Sequence, residues 1–98
     1  MTAETLKKEL ANNADMMLVD VRENYEFENG SVPGAQNIPM GIAAAEIEKM
    51  KIPKDKKIIV ICRSGNRSGF VTNELKKLGY NAENLEGGLI AWTGKFGG

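Results

Sequence analysis

The sequence predicts an α/β fold, a doubly wound parallel sheet with helices on both faces, and three observations carry that expectation. Strand-like and helix-like patterns alternate along the chain, the pattern that builds parallel sheets through right-handed crossovers. The run Ile58, Ile59, Val60, Ile61 is continuously β-branched, as befits a strand covered on both faces. The 98 residues, 42% hydrophobic and 27% charged, suit one ordinary globular domain spanning residues 1–98, without a linker, internal repeat or second core.

The elements follow in order. Thr2 can cap a helix over 3–11, with Leu6 and Leu10 on one face and Glu4 near the positive end of the dipole; Asn12, Asn13 and Asp15 then break it. Residues 16–21 are apolar except for Asp20 and read as a buried strand. Tyr25 and Phe27 lie in a polar stretch suited to one helical turn, ended by Gly30. Pro33 and Pro39 leave room only for a short extended segment over 36–38. A helix is expected over 41–50, with Ile42 or Ala43, Ile47 and Met50 on one face, closed by Ile52-Pro53. Strand 57–61 precedes a helix with Val71, Leu75 and Leu78 on one face, Lys76 and Lys77 near its negative end, and Gly79 as a left-handed stop. A brief strand over 82–85 leads through Gly87-Gly88 into a last helix bearing Leu89, Ile90 and Trp92. Trp92, Phe70, Met16, Met17, Met40 and Met50 read as core filling, and Gly97-Gly98 as a simple chain end.

Composition narrows the function. Thirteen basic residues balance thirteen acidic ones, so no net field draws in nucleic acid or a membrane surface. The chain begins without the apolar stretch of a signal peptide, and its longest apolar run, 58–62, is far too short to span a bilayer. A soluble, cytoplasmic protein is the expectation. There is no histidine and only one cysteine, which excludes Ser-His-Asp triads, Cys-His dyads, His-containing metal sites and thiolate-cluster zinc; no metal or cofactor is expected. Asp15, Asp20, Glu23, Glu26 and Glu28 lie in mixed polar surroundings and read as structural.

Cys62, that single cysteine, stands where strand 57–61 breaks into Arg63, Ser64, Gly65, Asn66, Arg67, Ser68 and Gly69, just ahead of a helix. From Lys56 to Asn73 there is no carboxylate, whereas Lys56, Lys57, Arg63 and Arg67 fall inside that span, a local excess suited to a small anion. A free thiol of pKa ~8.5 is only a few per cent ionised at pH 7, but a helix N-terminus worth up to ~2 kcal/mol lowers it by roughly 1.5 units. Loop N–H groups and the two arginines would lower it further. Gly65 and Gly69 would let the backbone curl closely around one sulfur. The predicted nucleophile is therefore Cys62, at the carboxyl end of a strand, where such sheets bind ligands.

The chain resembles the rhodanese-like family of sulfurtransferases in four ordered motifs. These are Leu18-Val19-Asp20-Val21-Arg22; Glu26-Phe27 with Gly30, Val32-Pro33-Gly34-Ala35 and Asn37-Ile38-Pro39; Cys62 to Ser68; and Leu85-Glu86-Gly87-Gly88 with Trp92. The resemblance implies a sheet of about five parallel strands. It also implies that Cys62 attacks the outer sulfur of a small anionic donor such as thiosulfate and carries it as a persulfide to a thiophilic acceptor, cyanide or a thiol. Arg63, Ser64, Gly65, Asn66, Arg67 and Ser68 would bind the substrate, Asp20 and Arg22 would support the loops, and Glu26 would serve as an ion-pair partner. A protein sulfur acceptor is a further expected partner. Ser31 stands where the family commonly has histidine, a departure bearing on local packing rather than on chemistry. The alternatives are a non-enzymatic sulfur-carrying module that binds a protein partner and, less favoured, a phosphatase or arsenate reductase. Related phosphatases use a loop one residue longer than the four residues that separate Cys62 from Arg67.

Overall fold

The computed structural model describes residues 1–93, so Lys95, Phe96 and the Gly97-Gly98 end lie outside the described residues. The elements run α1 (Ala3–Ala11), β1 (Met16–Asp20), α2 (Asn24–Phe27), β2 (Gln36–Asn37), α3 (Ala43–Lys49), β3 (Lys57–Ile61), α4 (Asn66–Lys77), β4 (Asn81–Asn84) and α5 (Gly88–Thr93). Thr2 caps α1 as expected, its Oγ1 accepting from the Thr5 N–H at 3.1 Å. Gly79, at φ +92°, is the left-handed stop after α4.

Period-two alternation sorts the core into two layers. Ile58, Val60 and Cys62 turn to one face with Met17, Val19 and Val21 of the neighbouring strand, packing against Ala43, Ile47, Val71 and Leu75 of α3 and α4. Ile59 and Ile61 turn to the other with Leu18, against Ala3 and Leu6 of α1 and Leu89 of α5. The sheet order is β2-β1-β3-β4 with every pair parallel, and β1 and β3 are in register from Met16↔Lys57 to Asp20↔Ile61. The chain winds outward in opposite directions from β1 and β3. The crevice beyond their carboxyl ends is the switch point at which such sheets bind ligands, and Cys62 follows β3 directly into it.

Several sequence expectations need correction. The sheet has four strands among the described residues rather than about five. Beside β4, Met1 makes one parallel bridge, its N donating to the Asn84 carbonyl and its carbonyl accepting from Glu86 N, both at 2.9 Å, before Thr2 turns the chain into α1. Helix α3 starts two residues later than expected, because Gly41 and Ile42 are used in a turn closed by Ile42 N donating to Pro39 O at 3.0 Å. Phe70 is 60% exposed, not core. The buried face of α4 is Ser68, Val71, Thr72 and Leu75, which leaves Phe70 on the outer face beside a groove lined by Ala44, Asn73, Glu74, Lys77 and Leu78. Leu78, Met40 and Met50 are likewise exposed, while Met17 is buried and Trp92 packs half-buried under the Lys7 ammonium. No helix among the described residues is long and apolar enough to cross a membrane.

Candidate active site

The turn from β3 into α4 is built by one glycine and the start of a helix. Gly65 caps α4 at φ +102°, a torsion that would strain any side chain, and so aims its own N–H back at Cys62 Sγ, 3.0 Å away. Ser68, one turn into α4 and fully buried, brings its Oγ to 3.2 Å from the same sulfur. Burial is the largest single influence on the thiol and pushes its pKa up. The Ser68 hydroxyl and the N–H groups of Ser68, Gly65 and Ser64 outweigh it, so that the net displacement is below the ordinary cysteine value. Ser64 and Asn66 are exposed at the mouth of the loop, and Arg63 is half-exposed. Gly69 has a different place from the one expected: its N–H donates to Gly65 O at 2.9 Å as part of the first turn of α4. A Cβ there would meet only Asn84 Nδ2, at an ordinary 3.5 Å, so the sulfur does not require this glycine.

A rigid polar frame stands at the end of β1. Asp20 and Arg22, both buried, form a bidentate ion pair in which Arg22 Nε lies 3.0 Å from Oδ1 and Nη2 2.8 Å from Oδ2. Ser31 Oγ donates to Asp20 Oδ2 at 2.7 Å, so the short hydroxyl helps satisfy the buried carboxylate. Arg22 Nη2 also donates to Gly30 O at 2.6 Å, and Asn37 Nδ2 bridges the carbonyls of Asp20 and Arg22 at 3.1 and 2.9 Å. Asp20 and Arg22 thereby tie the loops of Gly30, Ser31 and Asn37 to the end of β1.

Helix α2 ties this frame to α4, the helix that follows Cys62. Glu23 and Glu26 form a capping box, and Glu26 accepts from both ends of the Arg67 guanidinium, at 2.7 Å to Oε1 and 2.9 Å to Oε2. Glu26 is thus the expected ion-pair partner, and Arg67 is its mate. The hydrogen bond from Arg67 is the leading cause that takes the Glu26 carboxyl from 4.5 down to about 2. A depressed carboxylate pKa stabilises the fold above its unfolded value, and that contribution is lost as pH falls through the folded one. In urea titrations the stability gap between wild type and Glu26→Gln should therefore be full above pH 4.5 and close as the pH approaches about 2. A gap independent of pH would remove the pair from the fold's acid sensitivity.

Two supports of the loop were not assigned to the site from sequence. Asn84, at the end of β4, donates from Nδ2 to Gly65 O at 3.1 Å, and its Oδ1 lies within hydrogen-bond distance of Ser68 Oγ. Gly88, at φ +57°, lets α5 approach so closely that Leu89 N and Ile90 N donate to the carbonyls of Cys62 and Arg63 at 3.0 and 3.1 Å. The Gly87-Gly88 pair was a visible signal of close backbone approach. Asn84 gave none, being an ordinary polar residue in a short strand.

The result is a buried cysteine approached by amide and hydroxyl groups at the carboxyl edge of a parallel sheet, surroundings that favour a thiolate over a thiol. Comparison with known proteins finds relatives over nearly the whole chain. The rhodanese-like domain model matches residues 2–95. A provisionally named sulfurtransferase of Bacillus subtilis, YtwF, is 37% identical over 95 residues, covering 97% of this chain and 90% of its own length. A sulfurtransferase of Allochromatium vinosum is 40% identical over 92 residues, covering 93% and 84% respectively. Among solved structures, the human single-domain sulfurtransferase TSTD1 superposes with a TM-score of 0.83 at 28% identity, covering 97% of this chain and 95% of that one. The chain belongs to the rhodanese-like domain family.

Proposed function

We propose that this protein is a sulfurtransferase that moves a sulfane sulfur from thiosulfate, or a related persulfide donor, to cyanide or a thiol through a persulfide on Cys62. The observation that carries the reading is the convergence of Gly65 N–H and Ser68 Oγ–H on a single buried sulfur, at 3.0 and 3.2 Å. In the first half-reaction the Cys62 thiolate attacks the outer sulfur of the donor; the donor's S–S bond breaks and sulfite leaves with the electron pair. In the second, a thiophilic acceptor attacks the outer sulfur of the Cys62 persulfide, and the S–S bond breaks so that Sγ leaves as the thiolate.

In this reading each part of the loop has a role. Backbone N–H groups of Ser64, Gly65, Asn66 and Ser68 offset negative charge on the bound sulfur and on the leaving group. Arg63, at the loop mouth, attracts the anionic donor; the charge of Arg67 is largely cancelled by Glu26, so its main part is to fix the start of α4. Burial of Cys62 favours donors small enough to present one terminal sulfur. A partner protein bearing a terminal thiol or persulfide meets the same requirement.

Mass spectrometry tests the intermediate. Incubation with thiosulfate should add about one sulfur mass to the protein, cyanide should remove it, and Cys62→Ser should never gain it. A wild-type protein that stays unmodified in thiosulfate and in a glutathione persulfide alike would defeat the sulfurtransferase reading.

A further inference from the structure

Ser68 has one hydroxyl proton and two acceptors for it. Cys62 Sγ lies 3.2 Å from Ser68 Oγ on one side, and Asn84 Oδ1 lies within hydrogen-bond distance on the other. The orientation of the Asn84 amide is fixed by a third group. Its other end lies 3.1 Å from Gly65 O, and a carbonyl can only accept, so the NH2 must face Gly65 and the oxygen must face Ser68.

Two proton arrangements are therefore available. When Cys62 is a thiol, its S–H donates to Ser68 Oγ and the Ser68 proton goes to Asn84, with every group satisfied. When Cys62 is a thiolate, the Ser68 proton turns to the sulfur, and Asn84 Oδ1 is left facing an oxygen lone pair. We propose that Asn84 is a positioning residue that tunes the nucleophile by competing with the Cys62 thiolate for the single proton of Ser68. The proposal rests on the reading of Cys62 as a thiolate nucleophile.

The competition has a consequence for sulfur transfer. In the persulfide the charge moves to the outer sulfur, and the inner sulfur becomes a weak acceptor. The Ser68 proton then returns to Asn84 and the conflict at Oδ1 is relieved. Asn84 thus makes the bare thiolate less comfortable than the loaded state, which keeps the sulfur nucleophilic while its amide cradle keeps it ionised.

The charged groups near this triad come from every element around it. Arg63 lies in the loop, Arg67 on α4 with Glu26 of α2, and the Asp20–Arg22 pair at the end of β1. On the far side of β4 the Met1 ammonium donates to the Asn84 carbonyl at 2.9 Å and pairs with Glu83 and Glu86. Replacing the Asn84 side chain changes the charge of none of them.

Cys62 is the only cysteine, so the pH dependence of its alkylation by iodoacetamide reports this group alone. The rate should be measured in wild type, Asn84→Leu, Ser68→Ala and the double variant. With Ser68 present, Asn84→Leu should move the titration midpoint down by about one pH unit relative to its effect in the Ser68→Ala background. Loss of the Gly65 anchor affects both backgrounds and cancels in that comparison. If leucine disturbs β4, Asn84→Ala carries the same expectation. Equal displacements in the two backgrounds, or a larger upward displacement when Ser68 is present, would overturn the competition and leave Asn84 as a loop anchor only. Alkylation needs no sulfur donor, so a protein that takes no sulfur from thiosulfate can still show the coupling, and one that does can still lack it.

Discussion

Cys62→Ser should abolish thiocyanate formation from thiosulfate and cyanide, a loss on the order of 10³-fold or more, while leaving the protein folded. The size of the effect follows from ionisation and polarisability together. A serine hydroxyl is not ionised by amide donors at neutral pH, and its oxygen cannot carry a sulfur atom through the second half-reaction. The small effect on the fold follows from the same geometry: a hydroxyl at this point inherits the Gly65 N–H and Ser68 Oγ contacts that now serve the sulfur. The cost in stability should stay near about 1 kcal/mol. Comparing thiocyanate production with urea midpoints for the same two proteins separates the outcomes. Turnover that survives in a folded Cys62→Ser protein would place the chemistry elsewhere.

The part of the site that is local in sequence was legible before the structure. Residues 57–69 contain the strand, the turn glycine, the donors and the helix start in one stretch, and hydrophobic patterning with loop composition is enough to place Cys62 at the sheet's carboxyl edge. The frame at Asp20, Arg22 and Glu26 was half legible. Its residues stood out, but that Arg67 turns to Glu26 while Ser31 closes on Asp20 depends on how α2 packs, which no spacing encodes. Asn84 was not legible at all, because its role exists only once β4 lies beside β3 and its amide reaches the carbonyl of Gly65. The misplacement of Phe70 has a simpler origin. Aromatic size argued for the core, whereas the helical period that buries Val71 and Leu75 turns residue 70 outward, and the period prevails.

Among Gly65, Gly69, Gly79, Gly87 and Gly88, replacement by alanine should cost most at Gly88, in contrast to the same change at Gly69. A Cβ at Gly88 would lie 2.5 Å from the carbonyl oxygens of both Cys62 and Arg63, and the residue already sits at φ +57°. Left-handed torsion costs a non-glycine residue about 1–3 kcal/mol, and forcing an atom into a filled space costs a further ~1–3 kcal/mol. Since a chain of this length has a total stability of only about 5–15 kcal/mol, the sum is a large fraction of it. The backbone can relieve the clash only by moving α5 away from the loop, which breaks the bonds from Leu89 N and Ile90 N to the carbonyls of Cys62 and Arg63. Reactivity of Cys62 should therefore fall along with stability. Gly69→Ala places its Cβ 3.5 Å from Asn84 Nδ2, in ordinary contact, and removes a glycine from a helix, which should stabilise the protein by roughly 0.5–1 kcal/mol. Urea midpoints and alkylation rates measured on both variants decide the matter: if Gly88→Ala matches Gly69→Ala in both, the approach of α5 is not what holds the end of β3 and the loop in place.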